Sequence, residues 1–156
     1  PQTSYVPYVD QMAQAILQGA LDAAEAAGRG DPDGLRVILD CLGLEVQMCN
    51  QIGHSRPEEG SEHYFAYAVE NVMGKGLPHG DLVGPGIILL AGLQGQDVEP
   101  LRRALLACGI PLTSIPEDVI TQTLLSLPEY SRHHKLAYGI AHTLKPSDLD
   151  RLPALS

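Results

Sequence analysis

The fold class is decided by residues 9–27, VDQMAQAILQGALDAAEAA. Apolar side chains recur through this stretch at steps of three and four, which is the spacing that places them on one face of a helix. Gly28 and Gly30 then end the predicted helix. No stretch of the chain alternates with period two for long, so we predict an all-α protein. The apolar residues of the first helix are Met12, Ala15, Ile16, Ala20, Leu21 and Ala24.

The same spacing predicts further helices along the chain. A second helix is expected to begin at Pro32, with Asp31 as its N-cap, and to run to about Ile52. The loop over 53–60 holds Gly, Pro, Ser and charged residues without periodicity, and Ser61 is expected to cap the helix that follows. Helices are also predicted over 62–73, 80–93, 100–108, 116–125 and 128–144, with a short turn from Pro146 onward.

The helix over 80–93 is very apolar and is expected to lie at the centre of the fold. Residues 83–90 have a competing interpretation, because their two glycines, their proline and several branched residues are also compatible with a buried strand. No Gly-rich nucleotide fingerprint follows a strand anywhere in the sequence. The chain is therefore predicted to lack a nucleotide-binding fold of its own.

Composition limits the partners of the chain. With 156 residues it is expected to form a single domain, and no apolar run approaches the roughly 20 residues that a membrane span needs. The net charge of −9 opposes binding to nucleic acid, which depends on Lys and Arg neutralising phosphates. Cys41, Cys49 and Cys108 lack CxxC spacing and are expected to be buried, reduced thiols, which favours a cytoplasmic location.

Two of the six histidines, His63 and His79, share a setting. Each stands at the N-terminal edge of a predicted helix behind a Gly-containing turn, and the helix between them can fold back as a hairpin that brings the imidazoles together. Neutral imidazole is a common ligand of zinc, nickel and iron, and a catalytic metal usually has three protein ligands. From spacing alone, the competing interpretation is two helix-start histidines that bind backbone groups or solvent.

The residues around these histidines resemble a known signature. The run SRPEEGSEH over 55–63 is followed by LPHGD over 77–81. Together they resemble the iron-containing alcohol dehydrogenase-like superfamily, and within it the glycerol-1-phosphate dehydrogenase family, with a weaker likeness over roughly 54–144. The resemblance implies a helical bundle like the C-terminal domain of these enzymes and of dehydroquinate synthase. It also implies that His63 and His79 bind a divalent metal: zinc, nickel or iron.

The sequence departs from the family pattern in several ways. The family's third metal ligand is an Asp upstream of the first His, and this chain is expected to begin after that point, as a fragment of a longer protein. Tyr67 stands where many relatives carry a further His, and Asp81 replaces a Glu. The chain is also expected to lack the family's N-terminal nucleotide-binding domain, so NAD(P) is expected only together with that domain, and the chain alone is expected to be inactive.

The resemblance implies a mechanism in which the metal binds a hydroxyl of a small polyol or its phosphate and lowers its pKa, after which hydride leaves the adjacent carbon. Glu62 would then orient an imidazole, or simply face solvent. Arg56 would meet an anionic group of the substrate, or be an ordinary surface arginine. His54 would relay a proton, or be a solvated loop side chain.

Three functions are compatible with these residues. The first is the metal-binding helical domain of a polyol dehydrogenase, completed by the missing N-terminal domain or another chain. The second is a stand-alone helical module that acts by association, because loss of a partner domain should expose an apolar surface near residues 53–63. The third is a 3-dehydroquinate synthase-like lyase domain, which Tyr67 and the Ser-Arg-Pro loop oppose.

Overall fold

The computed structural model describes residues 5–74 and 76–155. Over these ranges every regular element is a helix, which confirms the all-α prediction and shows that the strand interpretation of 83–90 is wrong. None of the described helices is both long and apolar enough to cross a membrane. The α-helices are α1 (Pro7–Gly28), α2 (Pro32–Ile52), α3 (Ser61–Met73), α4 (His79–Leu93), α5 (Glu99–Ala107) and α6 (Glu117–His133), and two 3-10 helices follow, at Ile140–His142 and Pro146–Arg151.

The core is built around α3, which packs against α4 on one side and α6 on the other. Phe65 and Val69 of α3 are fully buried there, as is Leu127 of α6. The apolar helix expected at the centre of the fold is α4, and it is the most extensively buried of the helices. The helix that packs against both α4 and α6 is α3, however, so α3 has the more central position. The start of α3 is thereby fixed against a rigid interior.

A close approach of α4 to α3 sets the position of the first turn of α3. A Cβ atom at Gly86 would lie 2.9 Å from the carbonyl oxygen of Glu62 and 3.0 Å from the ring of Phe65. Real Cβ atoms are rarely that close to backbone, so only glycine allows this helix pair to pack at this distance. The carboxyl-bearing residue Glu62 and its neighbour His63 are therefore held directly against α4.

The hairpin of α1 and α2 lies outside this core. It reaches the rest of the chain mainly through α1, which packs against α5, whereas α2 packs against α1. Only Gly34 and Met48 of α2 are buried. At helical spacing the sequence of α2 predicts an apolar stripe of Leu35, Ile38, Leu39, Leu42, Val46 and Cys49. In the structure this stripe is largely exposed instead of facing the core, and Leu35, Leu39 and Leu42 are each half or more exposed.

Several local predictions can be compared with the structure. Asp31 is the N-cap of α2, as predicted, and its Oδ1 accepts hydrogen bonds from the backbone N–H groups of Asp33 and Gly34 at 2.9 and 3.0 Å. The prediction for Ser61 is wrong, because Gly60 is the N-cap of α3 and Ser61 is its first helical residue. The burial predicted for the thiols is also wrong, since Cys41 and Cys49 are half-buried and Cys108 is exposed.

The two helices predicted over 116–125 and 128–144 are a single helix, α6, with Pro128 inside it. Proline lacks a backbone N–H and usually breaks a helix. Here the buried face of α6 continues through Leu124 and Leu127 to Ser131, and packing of that face against α3 outweighs the lost hydrogen bond. The helix ends instead at His133. Lys135, just beyond it, has a left-handed φ of 55°, and the N–H of Leu136 donates back to the carbonyl of Ser131 at 3.0 Å.

Candidate functional site

The structure brings together the two histidines that the sequence singled out. His63 lies in the first turn of α3 and His79 is the first residue of α4. Their ring centroids are 5.3 Å apart, with the ring planes inclined at 42°. His63 is half-buried and His79 is exposed, so one ring is fixed by its surroundings and the other faces solvent. We call these two residues the histidine pair.

Glu62 contacts the buried member of the histidine pair. Its Oε1 lies 3.0 Å from Nδ1 of His63 and accepts a second hydrogen bond from the N–H of Gly60 at 2.7 Å. Burial alone would raise the pKa of Glu62, but the hydrogen bonds with His63 and with backbone N–H groups outweigh it, so that this pKa lies below its usual value. The same hydrogen bond raises the pKa of His63 against the opposing effect of burial.

A cavity of about 480 Å³ separates the outer hairpin from the core and reaches His63. Most of its wall is apolar and comes from α1, α2 and α4. Its end at His63 is acidic, with Glu45, Glu58 and Glu62 in the wall. Burial is the main reason that the pKa of Glu45 is raised, and the neighbouring charge of Glu58 adds to the effect. The cavity, which we call the site cavity, therefore favours a cation at the end nearest the histidine pair.

The loop over 53–60 carries two further residues that the sequence singled out. The guanidinium of Arg56 donates to the backbone carbonyl of Tyr138, and the rest of the side chain is exposed. Arg56 also lines a polar cleft of about 510 Å³ together with Glu62 and Gly60. Nδ1 of His54 accepts the N–H of Arg56 at 3.3 Å, which is a contact within the loop. Arg56 thus lies at an opening beside Glu62, whereas His54 contacts its own loop.

Glu59 holds this loop against α3, a role that no sequence pattern indicated. Its carboxylate accepts from the hydroxyl of Ser55 at 3.0 Å and from the hydroxyl of Tyr67 at 2.9 Å. Burial and this bond to Glu59 raise the pKa of Tyr67 to about 12. The ring of Tyr67 lies 6.3 Å from that of His63, measured between centroids. Tyr67 therefore borders the histidine pair and anchors the loop, a role that its spacing from other motifs does not reveal.

A second unpredicted contact joins the start of α3 to the C-terminal part of the chain. The hydroxyl oxygen of Ser61 accepts the N–H of Ala141 at 3.1 Å, and Arg56 binds the carbonyl of Tyr138. Gly139 packs tightly here, because a Cβ atom on it would lie 2.7 Å from Oγ of Ser61. We call these contacts the C-terminal clamp, and they fix both the loop and the helix start that carry the candidate site.

The two rings of the histidine pair are close enough for us to ask whether they could hold a metal. Two imidazoles, one of them hydrogen-bonded at Nδ1 to a carboxylate, form a donor set that zinc, nickel and iron accept. Across residues 5–74 and 76–155, however, no three His, Cys, Asp or Glu side chains stand together as a potential ligand set. A complete site of the usual three protein ligands would need one more donor than these ranges bring to the pair.

Comparison with known proteins identifies a class of enzyme. The chain is 33% identical over 125 residues to a protein of Methanothrix thermoacetophila. The aligned segment covers 77% of this chain and 35% of that protein. Proteins of Sulfurisphaera tokodaii and Sulfolobus acidocaldarius are 29% and 30% identical over 146 residues, or 91% of this chain and 38% of theirs. No protein-family profile matches the chain. All three relatives are dehydrogenases.

More specifically, each of the three carries the name glycerol-1-phosphate dehydrogenase [NAD(P)+]. The chain is thus homologous to the glycerol-1-phosphate dehydrogenases, and the resemblance found in the sequence is confirmed. It spans little more than a third of the length of these relatives.

Proposed function

We propose that this chain is the metal-binding helical part of an NAD(P)-dependent dehydrogenase that acts on a small polyol or its phosphate, of the glycerol-1-phosphate type. The observation that carries the proposal is the 5.3 Å separation of the imidazole rings of His63 and His79, at the starts of two helices that pack together. The homology of the chain to glycerol-1-phosphate dehydrogenases supports the assignment.

A divalent metal bound at the histidine pair would act as a Lewis acid that lowers the pKa of a substrate hydroxyl. Residues of the chain itself would hold the metal ion and orient the substrate. His63 and His79 would each supply one nitrogen, and the acidic end of the site cavity would favour the cation. Arg56, exposed at the polar cleft beside Glu62, would offer its free N–H groups to an anionic group of the substrate.

Two components of this activity would come from outside the chain. One is a third ligand, which we propose to be a carboxylate, and the other is the nucleotide-binding domain that holds the nicotinamide. Since the relatives are more than twice as long as the matched segment, both would be supplied by further polypeptide or another chain. The chain by itself is accordingly expected to bind metal weakly and to transfer no hydride.

The test is metal retention by the purified chain in equilibrium dialysis against zinc, nickel or iron, a measurement that also detects weak binding. We expect measurable metal, lost in His63→Ala and in His79→Ala, because each removes one of the two donors. His133→Ala is the matched control, since it removes an exposed imidazole at the end of α6. Equal retention in all four proteins would overturn the assignment of the histidine pair as ligands.

One observation favours a second function, that of a stand-alone module that acts by association. Leu35, Leu39 and Leu42 recur at helical spacing on α2 and are each half or more exposed, and exposed apolar residues grouped in this way are typical of a surface that binds another protein. A module of this kind would keep its partner when the histidine pair is removed. If the chain is instead the metal-binding part of a dehydrogenase, the His63→Ala variant loses its metal. Partner binding and metal binding by this variant therefore distinguish the two functions.

A further inference from the structure

We infer that Glu62 is the positioning residue of His63: its carboxylate holds the ring with the proton on Nδ1 and leaves Nε2 as the bare nitrogen that can bind a metal. The inference rests on the proposed function for the role of Nε2, but the hydrogen bond itself can be tested without a metal. Nothing in the spacing of the sequence distinguished this role from that of a solvated glutamate.

The geometry gives the carboxylate two fixed partners. Oε1 of Glu62 lies 3.0 Å from Nδ1 of His63 and 2.7 Å from the backbone nitrogen of Gly60. Only a quarter of the Glu62 side chain and a sixth of the His63 side chain are exposed, so water competes little for these atoms. A neutral imidazole has one N–H and one bare nitrogen, and a carboxylate at Nδ1 makes Nδ1 the donor.

Successive residues of a helix point about 100° apart, so neighbouring side chains do not normally meet. Glu62 reaches Nδ1 because its side chain folds back over Gly60. A Cβ atom at Gly60 would lie 2.7 Å from Oε2 and 3.2 Å from Oε1 of Glu62. The backbone of Gly60 is extended, at φ −114° and ψ −154°, which alanine also adopts. Glycine is thus needed here for the space it leaves to the carboxylate, and not for its conformation.

Other carboxylates near His63 act differently. Glu58 lines the same cavity and influences His63 through its charge, without a hydrogen bond to the ring. Glu59 is held by Ser55 and Tyr67. Among the described residues, Glu62 is the side chain that hydrogen-bonds the ring of His63. Glu58→Gln therefore removes one nearby negative charge and leaves the proposed contact in place, which makes it the matched control.

The test uses the whole metal-free chain and nitrogen-15 NMR of its imidazoles at alkaline pH, where His63 is neutral. We expect the Nδ1–H form for His63 in the wild type and in Glu58→Gln. In Glu62→Gln and Gly60→Ala we expect a shift toward the Nε2–H form, because the first removes the charge and the second displaces the carboxylate. Backbone amide spectra of each variant establish that it folds. An Nε2–H form in the wild type, or an unchanged form in both folded variants, would overturn the inference.

Zinc affinity, measured with the metal alone by calorimetry, is the second readout. Loss of a carboxylate that orients a ligand typically weakens metal binding about 10- to 100-fold, so we expect a decrease of that order for Glu62→Gln and a smaller one for Glu58→Gln. The two proposals fail separately. Zinc binding that depends on His63 but ignores Glu62 and Gly60 contradicts the positioning role alone, whereas the Nδ1–H form without zinc binding contradicts the metal site alone.

Discussion

Two glycines inside helices should respond in opposite ways to alanine. Gly86→Ala places a methyl group 2.9 Å from the carbonyl oxygen of Glu62, and overpacking of this kind costs about 1–3 kcal/mol of unfolding free energy. Gly43→Ala meets nothing within 4 Å in the middle of α2, and the better helix former should add about 0.5–1 kcal/mol. Urea unfolding of both variants measures the two effects, and an unchanged or higher stability of Gly86→Ala would contradict the close packing of α3 and α4.

Tyr67 should titrate at unusually high pH. Because burial and Glu59 favour its neutral hydroxyl in the folded state, its contribution to stability is fully present below its unperturbed pKa of 10.0 and is lost as the pH rises through about 12. Ultraviolet titration of the folded chain should show an ionisation step near pH 12 that is missing in Tyr67→Phe. If the titration curve of Tyr67→Phe kept that step, the step would belong to another tyrosine and the raised pKa of Tyr67 would be contradicted.

At this scale the sequence predicted local chemistry better than it predicted partners. The N-cap role of Asp31 could be predicted because its side chain binds backbone N–H groups only two and three positions away. Ser61 is also of a residue type that is favoured at N-caps. Its hydroxyl instead binds the backbone of Ala141, eighty positions along the chain, and no local pattern contains that partner. The bond between Glu62 and His63 was left open for a related reason, since it depends on the space above Gly60.

The second helix offers a test at the scale of an element. Leu39, a member of the predicted apolar stripe, is 68% exposed, whereas Met48, which is not part of that stripe, is 1% exposed. Leu39→Gln should change the unfolding free energy by no more than about 0.5 kcal/mol, whereas Met48→Ala should cost about 2–5 kcal/mol through the cavity it leaves. Thermal unfolding compares them. A large loss of stability in Leu39→Gln would mean that its face is covered in solution.

The bounds of the helices show where local pattern is sufficient. The first four helices begin and end within about two residues of their predicted positions, because caps, glycines and prolines mark their ends. The sixth helix does not follow this rule. Pro128 predicted a boundary, yet burial of the face that includes Leu127 carries the helix past it. A breaker residue decides the boundary only where tertiary packing does not oppose it.

The whole molecule should not unfold as evenly as its helical content suggests. The hairpin of α1 and α2 has few partners beyond itself, while α3 is packed on two sides. Local opening is easiest where few buried contacts must be broken, so the amides of α2 should exchange with deuterium well before those of α3 and α4. Hydrogen exchange followed by mass spectrometry measures this order, and equal protection of α2 and α4 would show that the hairpin is held by more than the contact of α1 with α5.

The C-terminal clamp has a consequence for synthesis of the protein. Ser61 and Arg56 find their partners at Ala141 and Tyr138, which leave the ribosome some eighty residues later. Until then α3 can form and pack, but its first turn and the preceding loop have nothing to hold them. The histidine pair is therefore expected to acquire its order late, after most of the core has formed. A nascent or C-terminally clipped chain would carry the right helices with an unfinished site.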